Sequence, residues 1–162
     1  MKLVIAEKPS VGNSIARMIG ADRQRGDGFT SGNGYIVSWC FGHLVALSSP
    51  EEYDKRYAKP WKLSNLPIIP EEFRWTVAES TAPQFEKLKA LMERPDVDEI
   101  ICATDAGREG ECVFRYVYCQ AGCTKPFKRL WISSMTDDPR WVRTPPTGQR
   151  LRRALPKRSS TQ

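Results

Sequence analysis

Three carboxylates and one arginine fall within eight consecutive residues of this chain, a concentration of groups that can handle a metal ion or a phosphate. The stretch at residues 104–111 contains Asp105, Arg108, Glu109 and Glu111. Asp105 precedes a predicted helix and Glu109 lies about one turn into it, so the two carboxylates can share one small cation. Acids in the first turn of a helix also interact favourably with its dipole, which gives part of the pattern a purely structural explanation.

A second charged pair, Glu7 and Lys8, follows the first apolar segment of the chain. A carboxylate beside a metal can give or take a proton, while lysine and arginine side chains bind phosphate. On their own, Glu7 and Lys8 are typical of a solvated surface. Considered together with the acidic stretch, they indicate a site that handles phosphate, with Lys8 and Arg108 as its cations.

Short apolar segments alternate with helical ones, and this alternation predicts an α/β fold. Strands are predicted at residues 2–6, 35–41, 73–77, 99–103 and 127–132, and helices at residues 11–19, 82–94 and 108–121. Strands this apolar are typical of a mostly parallel central sheet with helices on both faces. Ligands bind at the carboxyl ends of such strands. Glu7 and Asp105 each stand just beyond a predicted strand, so their carboxylates meet at one edge if those strands are neighbours.

At six places the chain resembles the N-terminal Toprim domain of bacterial type IA DNA topoisomerases, in particular the topoisomerase III group. The segments follow the family's order, and they are residues 5–10, 39–44, 53–57, 66–70, 103–111 and 129–134. The likeness extends over residues 1–138 and implies a Rossmann-like Toprim fold. It also implies an isomerase that cuts, passes and reseals single DNA strands with Mg²⁺ as its metal and no other cofactor.

The resemblance assigns roles to five residues by position. Glu7 matches the catalytic acid that protonates the leaving 3′ oxygen and lies beside the metal, and Lys8 matches a basic residue near the scissile phosphate. Asp105 and Glu109 match acids of the metal site. Arg108 lies between them and is expected to bind the DNA phosphate, as is Lys8.

Two departures from the family pattern bear on activity. Gly107 stands where the family's Asp-x-Asp pair usually has its second acid, so we expect weak metal binding unless substrate phosphate or other domains complete the shell. The family cuts DNA with a tyrosine from a later domain that this chain lacks. We therefore expect the chain alone to be inactive and to need the missing topoisomerase domains.

The net charge of +6 does not by itself indicate DNA binding. Seven of the 25 basic residues, and no acid, lie in residues 139–162, so residues 1–138 hold 18 basic and 19 acidic residues. We interpret residues 1–138 as the domain and residues 139–162 as a basic tail, either disordered or read from a shifted frame. A tail that binds DNA is the alternative.

Other functions stay open from the sequence alone. One is a stand-alone Toprim nuclease or primase-like protein, and another is a non-catalytic DNA-binding fragment. A nucleotide-binding Rossmann domain is disfavoured because no G-x-G-x-x-G motif follows the first strand. No apolar run approaches the ~18 residues of a membrane span, and an acid arrives as early as Glu7, so we expect a cytoplasmic protein without membrane contact. Five cysteines, an odd number without a C-x-x-C pair, fit buried reduced thiols.

Overall fold

The computed structural model describes residues 1–131, and this part contains strands and α-helices in alternation. The strands are β1 (Lys2–Ala6), β2 (Gln24–Gly26), β3 (Phe29–Gly32), β4 (Tyr35–Trp39), β5 (Val45–Leu47), β6 (Trp75–Val77), β7 (Glu99–Ala103) and β8 (Phe127–Arg129). The α-helices are α1 (Pro9–Ile19), α2 (Pro50–Tyr53), α3 (Ala82–Glu93) and α4 (Arg108–Gln120). The predicted bounds of β1 and β7 are confirmed residue for residue.

Six of the strands form one sheet, in the order β2-β3-β4-β1-β7-β8, and β5 pairs with β6 in a small separate sheet. β1 is parallel to both β4 and β7, and β7 is parallel to β8. β2, β3 and β4 are antiparallel neighbours. β1 and β7 pair directly, with Ala6 opposite Ala103, so their carboxyl ends lie side by side.

Alternate residues of β1 point to opposite faces of the sheet, and helices cover both faces. Leu3 lies in a buried cluster with Leu88 of α3 and Phe114 of α4. Val4 lies in a second cluster with Ile15 of α1. The α/β fold with a mostly parallel central sheet between helices is thus confirmed. Burial from both sides explains why β1 and β7 are nearly continuous apolar runs.

α1 begins two residues earlier than predicted. Ser10 is a good capping residue by type, which favours a helix that starts at residue 11, but Pro9 occupies the first turn and Lys8 is the N-cap residue. Proline is favoured at the first helical position, since its fixed φ suits a helix and the N–H it lacks would have no helical partner. The helix ends at Gly20 as predicted, with a left-handed φ of 69°. β4 and β6 are also shorter than predicted.

The segment between β5 and β6 contains one short helix, α2, and two 3₁₀ turns at Lys55–Tyr57 and Leu63–Asn65. No helix among residues 1–131 is long and apolar enough to cross a bilayer. The five cysteines are free; two are buried, but Cys119 is exposed, so that expectation holds only in part. Residue 132, the predicted end of the last strand, and the basic tail at residues 139–162 lie outside the described residues.

Candidate active site

The carboxyl ends of β1 and β7 bring Glu7 and Asp105 together, as the sequence predicted for neighbouring strands. Glu7 directly follows β1, and Asp105 lies two residues beyond β7. The backbone N–H of Asp105 donates a hydrogen bond to Oε2 of Glu7 at 3.1 Å. Glu7 is only 9% exposed, and a hydrogen bond from a backbone N–H stabilises a buried carboxylate and fixes its orientation.

The other carboxylate oxygens of Glu7 and Asp105 have no hydrogen-bond partner among residues 1–131. Oε1 of Glu7 accepts no hydrogen bond from residues 1–131, and the exposed Asp105 carboxylate forms neither a hydrogen bond nor an ion pair with them. Carboxylate oxygens are the ligand type that Mg²⁺ prefers, and proteins hold this ion with one or two carboxylates plus waters and phosphate oxygens. The edge therefore fits a divalent cation as part of a shell that other groups complete.

Glu109, the third acid expected at the metal, has a different neighbour. Its Oε1 lies 3.3 Å from Nε2 of His43, and its side chain is 80% exposed. Within residues 1–131, no three histidine, cysteine or acidic side chains are placed to hold a metal ion together. The sequence did not link His43 to the acidic stretch because 66 residues separate the two partners.

Lys8 and Arg108, the two expected phosphate-binding residues, are exposed and form no ion pair with an acid of residues 1–131. Lys8 is the N-cap residue of α1, and Arg108 is the first residue of α4. Both helices therefore begin at the sheet edge that carries Glu7 and Asp105. A cation without an acidic partner, beside helix N-termini that favour anions, suits a phosphate group.

Arg129 of β8 holds the turn that carries Asp105, a role that the sequence analysis did not assign. Its guanidinium donates hydrogen bonds to the carbonyl oxygen of Thr104 at 3.1 Å and to that of Asp105. It also donates to Oγ1 of Thr104 at 2.9 Å and to Oε2 of Glu111 at 3.1 Å. An arginine inside a predicted buried strand was the signal available, since such a charge needs partners.

Some residues of the acidic stretch lie at the sheet edge that carries Glu7, whereas others stabilise the structure around that edge. Glu111 pairs with Arg129 and, at 2.6 Å, with Arg115 one turn along α4. Gly110 permits a close approach, because a Cβ atom there would lie 2.3 Å from the carbonyl oxygen of Asp105. These two positions are explained by packing and ion pairing, not by chemistry at the edge.

The buried thiols near the site are not reactive. Burial, together with nearby Cys102 and Glu7, raises the pKa of Cys40 to about 12. Burial also raises the pKa of Cys102. A thiol attacks as its thiolate, so both groups stay protonated and inert near neutral pH.

Comparison with known proteins adds an independent result. The model of the Toprim domain family matches residues 2–135. The chain is 52% identical over 136 residues to the DNA topoisomerase 3 of Shouchella clausii and 52% identical over 135 residues to that of Bacillus cereus. It is 50% identical over 135 residues to the DNA topoisomerase 3 of Bacillus licheniformis. These alignments cover 83–84% of this chain but only 18% of each relative.

Proposed function

Because this chain belongs to the Toprim domain family, we propose that it forms the metal-binding and acid–base part of a type IA DNA topoisomerase, which cuts, passes and reseals single DNA strands. The observation that carries the proposal is the meeting of Glu7 and Asp105 at one sheet edge. Lys8 and Arg108, without acidic partners among the described residues, begin helices at that edge. Similarity to proteins named DNA topoisomerase 3 supports the choice of DNA as the substrate.

In this proposal Glu7 transfers a proton at the leaving 3′ oxygen. The hydrogen bond from the Asp105 N–H holds one carboxylate oxygen, so the other, Oε1, is the oxygen that exchanges the proton. Lys8 and Arg108 bind the scissile phosphate or its neighbours and set the position of the strand. Each of these roles uses a side-chain group that has no hydrogen-bond or ion-pair partner among residues 1–131.

Toprim domains in general bind a divalent metal, and we propose Mg²⁺ for this chain. Glu7 and Asp105 would hold it, and Glu109 would join them on exchanging its His43 contact for the metal. A bound Mg²⁺ would neutralise charge on the phosphate during strand cleavage. Since two carboxylates are at hand, we expect weak binding that DNA phosphate strengthens.

Gly107 offers a direct test of the metal proposal. Its backbone is extended, with φ of −166°, and a Cβ atom there would meet no atom within 4 Å, so a side chain fits. We expect Gly107→Asp to lower the Kd for Mg²⁺ about tenfold by adding a carboxylate ligand. Isothermal titration with MgCl₂ measures this, and Gly107→Asn, equal in size but uncharged, is the control. Equal affinity in both variants would count against a metal at this edge.

The nucleophile of the proposed reaction belongs to another part of the complete enzyme. Among the described tyrosines, Tyr35 pairs with Lys2 at the end of the sheet away from Glu7, and Tyr116 stacks on Trp75 with ring centroids 4.0 Å apart. The Tyr53 hydroxyl hydrogen-bonds to the Arg74 backbone. We propose that residues 1–138 form the domain and that residues 139–162 are a separate basic tail. We also propose that the protein acts on a single-stranded segment of DNA in the cytoplasm, with the remaining topoisomerase domains as its partners.

A plasmid assay tests the proposed function on the chain itself. We expect neither the wild-type chain nor Glu7→Gln to relax negatively supercoiled DNA in the presence of Mg²⁺, or to be captured covalently on single-stranded DNA. Nicking or relaxation that depends on Glu7 would establish a self-sufficient Toprim nuclease and overturn the proposal. Steeply salt-dependent DNA binding that disappears with residues 139–162 would instead identify a non-catalytic DNA-binding fragment.

A further inference from the structure

A groove of about 390 Å³ lies beside the Glu7 edge, on the side opposite to Asp105. Two backbone hydrogen bonds fix its position: the N–H of Cys40 donates to the carbonyl oxygen of Ala6 at 2.8 Å, and that of Gly42 to the carbonyl oxygen of Glu7 at 3.3 Å. The residues that matter for its chemistry are Pro9, Trp39, Phe41, Pro83, Gln84 and Lys87. Pro9 follows Lys8 directly, so the groove adjoins both the candidate acid and a candidate phosphate-binding residue.

Two aromatic side chains line this groove and differ in exposure. Trp39 is half-buried and is held by α1, because a Cβ atom at Gly12 would lie 2.8 Å from its ring atom Cε3. Phe41 is 55% exposed, which leaves a large apolar ring in contact with water. An exposed aromatic ring beside a fixed one is the arrangement on which proteins stack the bases of single-stranded nucleic acids.

Gln84 supplies a polar group to the same groove. The side chain is 4% exposed, and its Nε2 donates a hydrogen bond to the carbonyl oxygen of Trp39 at 2.7 Å. A carbonyl only accepts, so this bond fixes the amide orientation and leaves Oε1 as the remaining group. Oε1 accepts no hydrogen bond from residues 1–131. Oε1 is not among the fully buried unpaired atoms of residues 1–131, so it can be reached from the groove and can accept a hydrogen bond from a ligand N–H. Every DNA base carries at least one N–H donor.

The charges around the groove favour binding of an uncharged DNA base in it over binding of a phosphate. Lys87 is paired with Asp27, with Nζ 2.7 Å from Oδ1, so this rim carries no unbalanced positive charge. Lys8, by contrast, has no acidic partner among the described residues. If a DNA phosphate binds Lys8, the adjacent base of that DNA strand therefore lies next to the aromatic and hydrogen-bonding side chains of the groove.

From these observations we infer that the groove binds one unpaired base of the DNA strand next to the scissile phosphate, stacked on Phe41 and hydrogen-bonded to Oε1 of Gln84. The inference rests on the proposed function, since it concerns how the same edge engages single-stranded DNA. Stacking accepts any base, and an N–H donor is common to all four bases. The groove accordingly sets the position of the strand with little preference for sequence.

The test uses the full chain and a short oligothymidine that carries one 2-aminopurine, placed at each position in turn. Stacking quenches 2-aminopurine fluorescence, and anisotropy of an end label gives the Kd. We expect quenching of 2-aminopurine with the wild-type chain, loss of that quenching in Phe41→Ala, and a Kd raised roughly fivefold or more in that variant. Phe73→Ala, which removes another exposed phenylalanine (63% exposed) outside the groove, is the matched control and should change neither signal. Phe41→Trp should restore both.

The outcomes separate this inference from the proposed function. Binding that weakens in Lys8→Gln but is unchanged in Phe41→Ala, in Kd and in quenching, would overturn the base site and leave the proposed function standing. Absence of any Lys8-dependent binding of the oligonucleotide by the wild-type chain would overturn both.

Discussion

Glu7→Gln is expected to lower the rate of DNA relaxation by ~10²–10⁴-fold in a topoisomerase whose Toprim segment is supplied by this chain. The enzyme to assay is a chimera in which residues 1–135 replace the matching segment of the Bacillus cereus DNA topoisomerase 3, which is 52% identical to this chain over 135 residues. Glutamine keeps the size of the side chain and can still accept the hydrogen bond from the Asp105 N–H. The fold is therefore preserved while the transferable proton and the charge are lost.

A matched control separates proton transfer from a general loss of acid. Glu86→Gln makes the same chemical change at an exposed position on α3, away from the sheet edge, and should relax DNA at the rate of the parent chimera. Relaxation is followed on agarose gels over a time course with excess plasmid. If the Glu7→Gln chimera stayed within about threefold of its parent, Glu7 would not be the proton-transfer residue, since a general acid contributes at least ~10²-fold.

Replacing Arg129 with methionine should produce the largest loss of stability among single substitutions near the site. Its side chain is 12% exposed and donates to two backbone carbonyls, the Thr104 hydroxyl and the Glu111 carboxylate. Methionine keeps most of the apolar stem but removes the donor to the carbonyl oxygens of Thr104 and Asp105, whereas Glu111 keeps its contact with Arg115. Leaving a buried acceptor without a donor costs about 1–3 kcal/mol, and we expect a decrease of this size in the free energy of unfolding.

Urea denaturation followed by circular dichroism measures this change. Arg115→Met is the comparison, because Arg115 contacts the same Glu111 at 2.6 Å but is 24% exposed and has no backbone acceptor at the turn. We expect it to cost at most about 1 kcal/mol. Arg129→Lys should recover only part of the loss, since an ammonium group lacks the planar fork that reaches several acceptors at once. Equal losses in Arg129→Met and Arg115→Met would refute the positioning role of Arg129.

The fold was predictable because its determinants are local. β1 and β7 each consist of one charged residue, Lys2 or Glu99, followed by four apolar residues, and such apolar runs have few alternatives to a buried parallel strand. The start of α1 was misplaced because Ser10 is a good capping residue by type, whereas Pro9 has the stronger preference for the first helical position. Local preferences compete at helix ends, and the prediction therefore placed the start of α1 two residues too late.

The candidate site was predictable only in part, because its support is non-local. Neighbouring parallel strands suffice to bring Glu7 to Asp105. The contact between His43 and Glu109 joins residues 66 positions apart, and Arg129 reaches Asp105 across 24. The side-chain geometry of such contacts depends on how β8, α4 and the loop after β4 pack together. No periodicity or spacing in the sequence encodes that packing.

The central place of β1 in the sheet has a consequence for synthesis on the ribosome. The register pairs Lys2 with Tyr35 on one side and with Glu99 on the other, so the strand made first waits for a partner made 97 residues later. At cellular elongation rates this interval is roughly 5–20 s, during which one backbone edge of an apolar strand has no partner. The nascent chain therefore carries an aggregation-prone segment while these 97 residues are made. A slow stretch of codons before β7 would lengthen that exposure and lower the yield of folded protein without changing a single amino acid.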